Sequence, residues 1–283
     1  MQNARTIRTV IKGKPTMEGA GVHLSRIFGH NEVPMFDPFL MLDDFRSYNP
    51  EHFRAGFPWH PHRGIETITY VLSGDVEHGD SMGNKGLISS GDTQWMTAGS
   101  GIIHQEMPLG DNEGKMEGFQ LWANLPKSHK MMPPRYRDIK NSQVPVVSLE
   151  NGVKIKIICG KIGDCEGPVK DIVVDPEYID VTIPAGSDFR HPTKHGHTVF
   201  AYVIDGQGYF DETKAKSVAN GSVCLYEDGN HILVTTGTES VRFLLISGKP
   251  IGEPVAWYGP IVMNTDQELR QAFEEYQNGT FIK

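Results

Sequence analysis

Two short pairs in the first half of this chain bring together side chains that bind metals. His60 and His62 stand in Trp59-His-Pro-His-Arg63, and His104 and Glu106 in Gly101-Ile-Ile-His-Gln-Glu-Met107. On an extended strand, residues two apart leave the same face, so each pair can converge on one point. Two such strands side by side would offer three imidazoles and one carboxylate, a donor set suited to a divalent first-row metal with one or two coordination positions left open. An HxH pair alone is weak, because 12 histidines in 283 residues give roughly half an occurrence by chance. By spacing alone, surface or hydrogen-bonded core histidines stay open as the alternative. Both pairs follow glycine-bearing turns and an aliphatic strand, with further turns at Gly74 and Gly91-Asp92 between them, so each strand can reach back to the other.

Other candidates for chemistry are poorer. Asp43-Asp44 could serve as an acid/base pair, but neighbours on a strand point apart, so both are read as turn or surface residues. Trp59, Trp95 and Met96 lie close to the donors in sequence and are read as barrel core rather than substrate contacts.

The elements that must position these residues are strands. Short β-branched runs such as Glu66-Thr-Ile-Thr-Tyr-Val-Leu72, Val153-Lys-Ile-Lys-Ile-Ile158 and Val241-Arg-Phe-Leu-Leu-Ile246, punctuated by 31 glycines and 18 prolines, predict an all-β chain of sandwiches or barrels. One segment dissents: Thr265-Asp-Gln-Glu268 forms a capping box, Leu269, Ala272, Phe273 and Tyr276 share one face, and Gly279 supplies a stop. This predicts a packing helix over 266–277. Residues 125–134 are polar and proline-rich and are the best candidate linker. The basic residues that follow, Arg135, Arg137 and Lys140 around Tyr136, are read as a solvated interdomain strap rather than a nucleic-acid patch. Length favours two domains, placed at 1–134 and 135–283, the second including the helix. Tyr70-Val-Leu-Ser-Gly74 reappears as Tyr202-Val-Ile-Asp-Gly206, and Ser90-Gly91-Asp92 has a counterpart in Asn220-Gly221-Ser222, at offsets of 132 and 130. The near-equal offsets point to a duplicated β domain.

Composition narrows the function classes. A formal net charge of -8 has the wrong sign for drawing the whole molecule to nucleic acid or anionic lipid. Three cysteines without a CxxC pair argue against a disulfide framework or a zinc knuckle and fit a reducing compartment. No run approaches the roughly 20 apolar residues of a membrane span, and the start carries no secretory pattern, so a cytoplasmic location is expected.

Four blocks, Asp37-Pro-Phe-Leu-Met-Leu-Asp-Asp-Phe45, Phe57-Pro-Trp-His-Pro-His-Arg-Gly-Ile-Glu-Thr67, Gly91-Asp-Thr-Gln-Trp-Met-Thr-Ala-Gly-Ser-Gly-Ile-Ile-His-Gln-Glu-Met-Pro108 and Gly259-Pro-Ile-Val-Met-Asn-Thr265, resemble the pirin family of bicupins. The resemblance runs from about residue 5 to residue 280. It implies two tandem cupin (jelly-roll) β-barrels facing each other, the first holding one metal, Fe(II) foremost, on His60, His62, His104 and Glu106. Zinc, nickel, manganese or copper could take the same donors. The wider cupin pattern also draws attention to Glu66, four residues after the HxH pair, here read as a partner of the ligands rather than one of them. Applied to the ligands, the two offsets land on Pro192, Lys194, Val234 and Thr236, so the second barrel is expected to lack metal. His195-Gly-His197 lies three positions out of register and, with His191 and His231, is the alternative second site.

The resemblance further implies a quercetin 2,3-dioxygenase-like oxidoreductase. A flavonol and dioxygen would be its substrates, Glu106 would take the 3-hydroxyl proton, and the ring would open with release of carbon monoxide. The rival it implies is a metal-dependent regulatory protein that binds transcription factors or metabolic enzymes.

Overall fold

The computed structural model describes residues 3–283. The chain forms two compact units, and neither is contiguous. Residues 14–141 and 251–283 build one, here the N-terminal barrel; the leading residues up to Gly13 and residues 142–250 build the other, the C-terminal barrel.

In the N-terminal barrel a seven-stranded antiparallel sheet runs in the order Arg135–Ile139, Thr93–Thr97, Ile65–Ser73, Glu117–Asn124, Phe39–Asp44, Val22–Phe28, Lys14–Glu18. A second sheet has the order Phe57–His62, Ile102–Gly110, Asp75–Asp80, Lys85–Ile88. Alternation sorts the side chains. On the strand Ile65–Ser73, Thr67 and Thr69 pair with Trp122 and Gln120 and share their face, while Glu66 and Ile68 take the other.

The C-terminal barrel repeats the plan. Its main path is Ile7–Lys12, Ser222–Tyr226, Thr198–Tyr209, Val241–Gly248, Glu177–Ile183, Lys154–Cys159, Val146–Ser148. The third strand in each path carries one copy of the Tyr-Val repeat. Asp188–Pro192 pairs with His231–Thr235 as Phe57–His62 pairs with Ile102–Gly110 in the first barrel. The interior is closed by Phe189, Phe210, Val234 and Phe243, all nearly inaccessible to solvent, and each such burial is worth about 1.5–3 kcal/mol.

Two sequence expectations are corrected here. The single boundary at 134/135 does not describe how the contacts divide. The first strand, Ile7–Lys12, pairs with Ser222–Tyr226 in the C-terminal barrel, while the helix Asp266–Gln277 and the strands Ala256–Tyr258 and Ile261–Met263 belong to the N-terminal one. Nor are the basic residues after the proline-rich strip a solvated strap. Arg135–Ile139 is an edge strand on Thr93–Thr97, and the Lys140 ammonium donates to Asp92 at 2.8 Å. Within the strip itself, Lys130 is buried.

The helix spans the expected residues, with Thr265 as N-cap and Glu268 closing the capping box. No helix is long and apolar enough to cross a membrane among the described residues.

Candidate metal centre

The strands Phe57–His62 and Ile102–Gly110 are antiparallel, with His60 directly opposite His104. That register brings three imidazoles together: His60 Nε2 lies 3.0 Å from His62 Nε2 and 3.0 Å from His104 Nε2. His62 and His104 are buried and His60 is half-buried. His60 Nδ1 donates to the Pro58 carbonyl at 2.9 Å and His62 Nδ1 to the Pro260 carbonyl at 3.0 Å. In a neutral imidazole a proton on Nδ1 leaves Nε2 as a bare acceptor. The contact between His60 and His62 is therefore lone pair against lone pair, which a cation between them relieves. Nitrogens about 2.1 Å from a common ion and at right angles would stand about 3.0 Å apart, so the spacing fits a metal. Burial pushes the pKa of His62 and of His104 well below the usual imidazole value, and the neighbouring imidazoles add to this. Both thus stay in the neutral form that a metal requires.

Glu106 sits beside this group but is not in it: only the three histidine donors lie within 4.8 Å of one another. A register shift separates His104 from Glu106 on their strand. The carboxylate is buried and accepts from Thr69 Oγ1 and from Gln120 Nε2, each at 2.9 Å. Gln120 is itself oriented by Trp122, whose Nε1 donates to Gln120 Oε1 at 3.1 Å.

Glu66 is placed elsewhere. It points away from the face that carries Thr69, accepts from Trp95 Nε1 at 3.1 Å and Thr97 Oγ1 at 2.6 Å, and burial raises its pKa. Gly64 lies between it and the HxH pair at φ +80°, where a Cβ would meet the Val262 carbonyl at 2.0 Å.

His60 and His62 line a cavity of about 600 Å3. Its walls include Trp122, Trp257, Tyr258 and Phe57, and its polar groups include Gln120, Asp43 and Arg26. Trp122 stands edge-on to His62 with ring centroids 5.1 Å apart. Sequence reasoning missed these wall residues, several of which come from the C-terminal segment. The Gly259-Pro-Ile-Val-Met-Asn-Thr265 block is the one signal that could have found them, since Pro260 reaches His62.

Asp43 and Asp44 are not turn or surface residues. Both are buried on the strand Phe39–Asp44 and point apart, Asp43 paired with Arg26 and Asp44 with Arg46. Of the aromatics set aside as core, Trp95 is buried, as is Met96, whereas Trp59 is half exposed.

In the C-terminal barrel, Phe189 opposes Val234 and His191 opposes Ile232. Taking His104 to Val234 at the 130 offset makes Phe189 the counterpart of His60 and His191 that of His62. The offset on this strand is thus 129 rather than 132, which is why the sequence landed on Pro192 and Lys194. His191 is bonded to Glu177 at 2.9 Å. His195 is exposed near Asp228 and His197 lies 3.6 Å from Asp175, so these histidines do not converge.

Residues 21–123 match the family described as Pirin, and residues 178–282 match the Pirin C-terminal cupin domain. A provisionally named quercetin 2,3-dioxygenase of Pseudomonas aeruginosa is 42% identical over 99% of both chains. A pirin-like protein of Caulobacter vibrioides is 42% identical over 98% of this chain and 99% of its own. Among solved structures, a quercetin 2,3-dioxygenase from Acinetobacter baumannii superposes with a TM-score of 0.89 at 30% identity, covering 99% of each chain.

Proposed function

Since the chain belongs to the pirin family, we propose that its N-terminal barrel holds one divalent transition metal on His60, His62 and His104, with Glu106 beside them, and opens flavonols with dioxygen. The observation that carries this reading is the convergence of three Nε2 atoms, two of them on rings whose Nδ1 donates to a backbone carbonyl and so leaves Nε2 as the acceptor. Ferrous iron is the first choice, as a redox-capable ion these donors accept; zinc, nickel, manganese and copper compete for the same ligands. The C-terminal barrel offers Phe189 and Val234 where the first has His60 and His104, and is assigned no metal.

When bound, the metal supplies positive charge for the substrate oxyanion and a route for electrons to dioxygen. The protein's residues do the rest. Glu106, held by Thr69 and Gln120, would take the 3-hydroxyl proton and return it to the product carboxylate. Trp122 and Trp257, 5.9 Å apart between centroids, give a planar substrate apolar walls that displace water. In the overall reaction C3 leaves with its oxygen as carbon monoxide, and both atoms of dioxygen remain in the ester product.

The test is turnover: iron-loaded protein is mixed with quercetin in air while flavonol absorbance and carbon monoxide are followed. Absence of product above a metal-only blank, with iron bound at one per chain, would refute the enzymatic reading. His62→Ala should lose both metal and activity. Unchanged metal content in that variant would refute the ligand assignment.

A further inference from the structure

The cavity has a second polar pole, and strand register fixes where it lies. Thr69 pairs with Gln120, Gln120 with Asp43, and Asp43 with Arg26, across four adjacent strands. These residues form one row on the inner face of the sheet. The row starts at Glu106, which Thr69 and Gln120 both contact. Arg26 lies two strand spacings beyond Gln120, about 10 Å by backbone geometry, a length matched by a planar aromatic of two or three rings. Between the two poles the cavity is mainly apolar, with Leu24, Met41 and Phe45 on its wall.

The far pole is a triangle of charges. Arg26 Nε and Nη2 bind the two oxygens of Asp43 at 2.9 and 2.7 Å, and Nη1 binds Glu18 Oε1 at 2.8 Å. A guanidinium has five N–H donors, so two are left. Glu18 Oε2 accepts no hydrogen bond among the described residues, and its side chain is 42% exposed. One positive and two negative charges give this pole a net charge of -1, which disfavours a carboxylate or phosphate there. A spare donor beside a spare acceptor is the complement of two neighbouring hydroxyls, one accepting from Arg26 and one donating to Glu18.

We infer that the Arg26–Glu18–Asp43 triangle is a recognition subsite for a vicinal dihydroxyphenyl group at the end of the substrate remote from the histidines. This deepens the flavonol reading and rests on it. Asp43 holds the guanidinium flat against the sheet, and Glu18 at the rim supplies the selective contact.

The test compares quercetin, whose outer ring carries two adjacent hydroxyls, with galangin, whose outer ring carries none. Dissociation constants are measured without oxygen on the full metal-loaded protein by quenching of tryptophan fluorescence. The wild type should bind quercetin about tenfold more tightly than galangin, the effect of one or two hydrogen bonds to charged groups. Glu18→Gln and Arg26→Lys should each narrow that ratio to about threefold or less, with galangin affinity and metal content unchanged. Arg26→Lys keeps a cation beside the buried Asp43, and Glu18 is exposed enough to change without loss of folding. A wild type with no preference, or a preference that survives in both variants, overturns the subsite alone, provided the flavonols bind and turn over. If neither flavonol binds, the flavonol reading fails and the subsite falls with it.

Discussion

Glu275→Gln should loosen the N-terminal barrel without touching the cavity. Arg63, the residue after the HxH pair, is buried and donates to the Ser100 carbonyl at 2.7 Å and the Phe281 carbonyl at 2.8 Å. Its guanidinium also pairs with Glu275 at 2.8 Å and lies 4.1 Å from the Phe281 ring centroid. Lys283, Arg63 and Gln271 together hold the Glu275 carboxyl down at about 2 from 4.5. Taken at face value that shift is worth about 3.4 kcal/mol, and water reaching the helix surface reduces it to about 2 kcal/mol. A depressed carboxyl pKa stabilises the fold fully above the unfolded value and loses that contribution as pH falls from about 4.5 towards 2. The variant should therefore melt about 4–8 °C lower at pH 7, for a unit of this size. The difference in unfolding free energy, from urea titrations at a series of pH values, should fall below half by about pH 3. A gap that is the same at pH 3 and pH 7 would show that the pair contributes through packing rather than charge, and no gap at all would refute the clasp.

Gly64→Ala should be severely destabilising, because the new Cβ would meet the Val262 carbonyl at 2.0 Å in a left-handed backbone; recovery of soluble protein with wild-type Tm would contradict this. Burial lowers the pKa of Lys130 to about 7, although Glu253 and Glu268 oppose it. The unfolded chain then holds the extra proton between about pH 7 and 10, so stability should rise over that interval, and Lys130→Met should flatten the rise in urea titrations. Trp122→Ala removes a wall of the cavity and the donor that orients Gln120. It should raise KM for quercetin about tenfold or more, with metal content intact; an unchanged KM would remove Trp122 from the substrate site.

Much of the histidine cluster was legible because it depends on parity. His60, His62 and His104 are separated by even steps or face one another across two strands, and a period of two places them on one face whatever the surrounding structure. The helix was legible for a similar reason, since its capping box and its 3.6-residue apolar period are local. Domain boundaries were not, because the partners of Ile7–Lys12 and of the C-terminal segment lie about 200 residues away. The Asp43-Asp44 pair misled for want of its partners: two adjacent acids read as surface until Arg26 and Arg46 are seen to neutralise them. The cavity walls could not be read either, as Trp122 and Trp257 lie 135 positions apart and look like ordinary core residues.

The two barrels show how little sequence separates a cluster of converging imidazoles from a packed interior. Apart from the edge strand at one end, both use the same strand order, and in both a short strand pairs with its partner so that one residue lies directly opposite another. In one barrel that facing pair is His60 and His104; in the other it is Phe189 and Val234, which close on Phe210 and Phe243. Converging imidazoles cost the fold a polar interior unless an ion binds them, whereas the apolar pair gains burial energy at once. The first barrel can carry that cost because Pro58 and Pro260 satisfy two imidazole nitrogens and the Arg63 clasp anchors the segment that brings Pro260 into place. The second has one histidine at a corresponding position, His191, bound to Glu177 rather than facing a partner imidazole. A site of this kind therefore needs more than its ligands: it needs a returning chain to fix them, and that chain is what the C-terminal segment supplies to the first barrel.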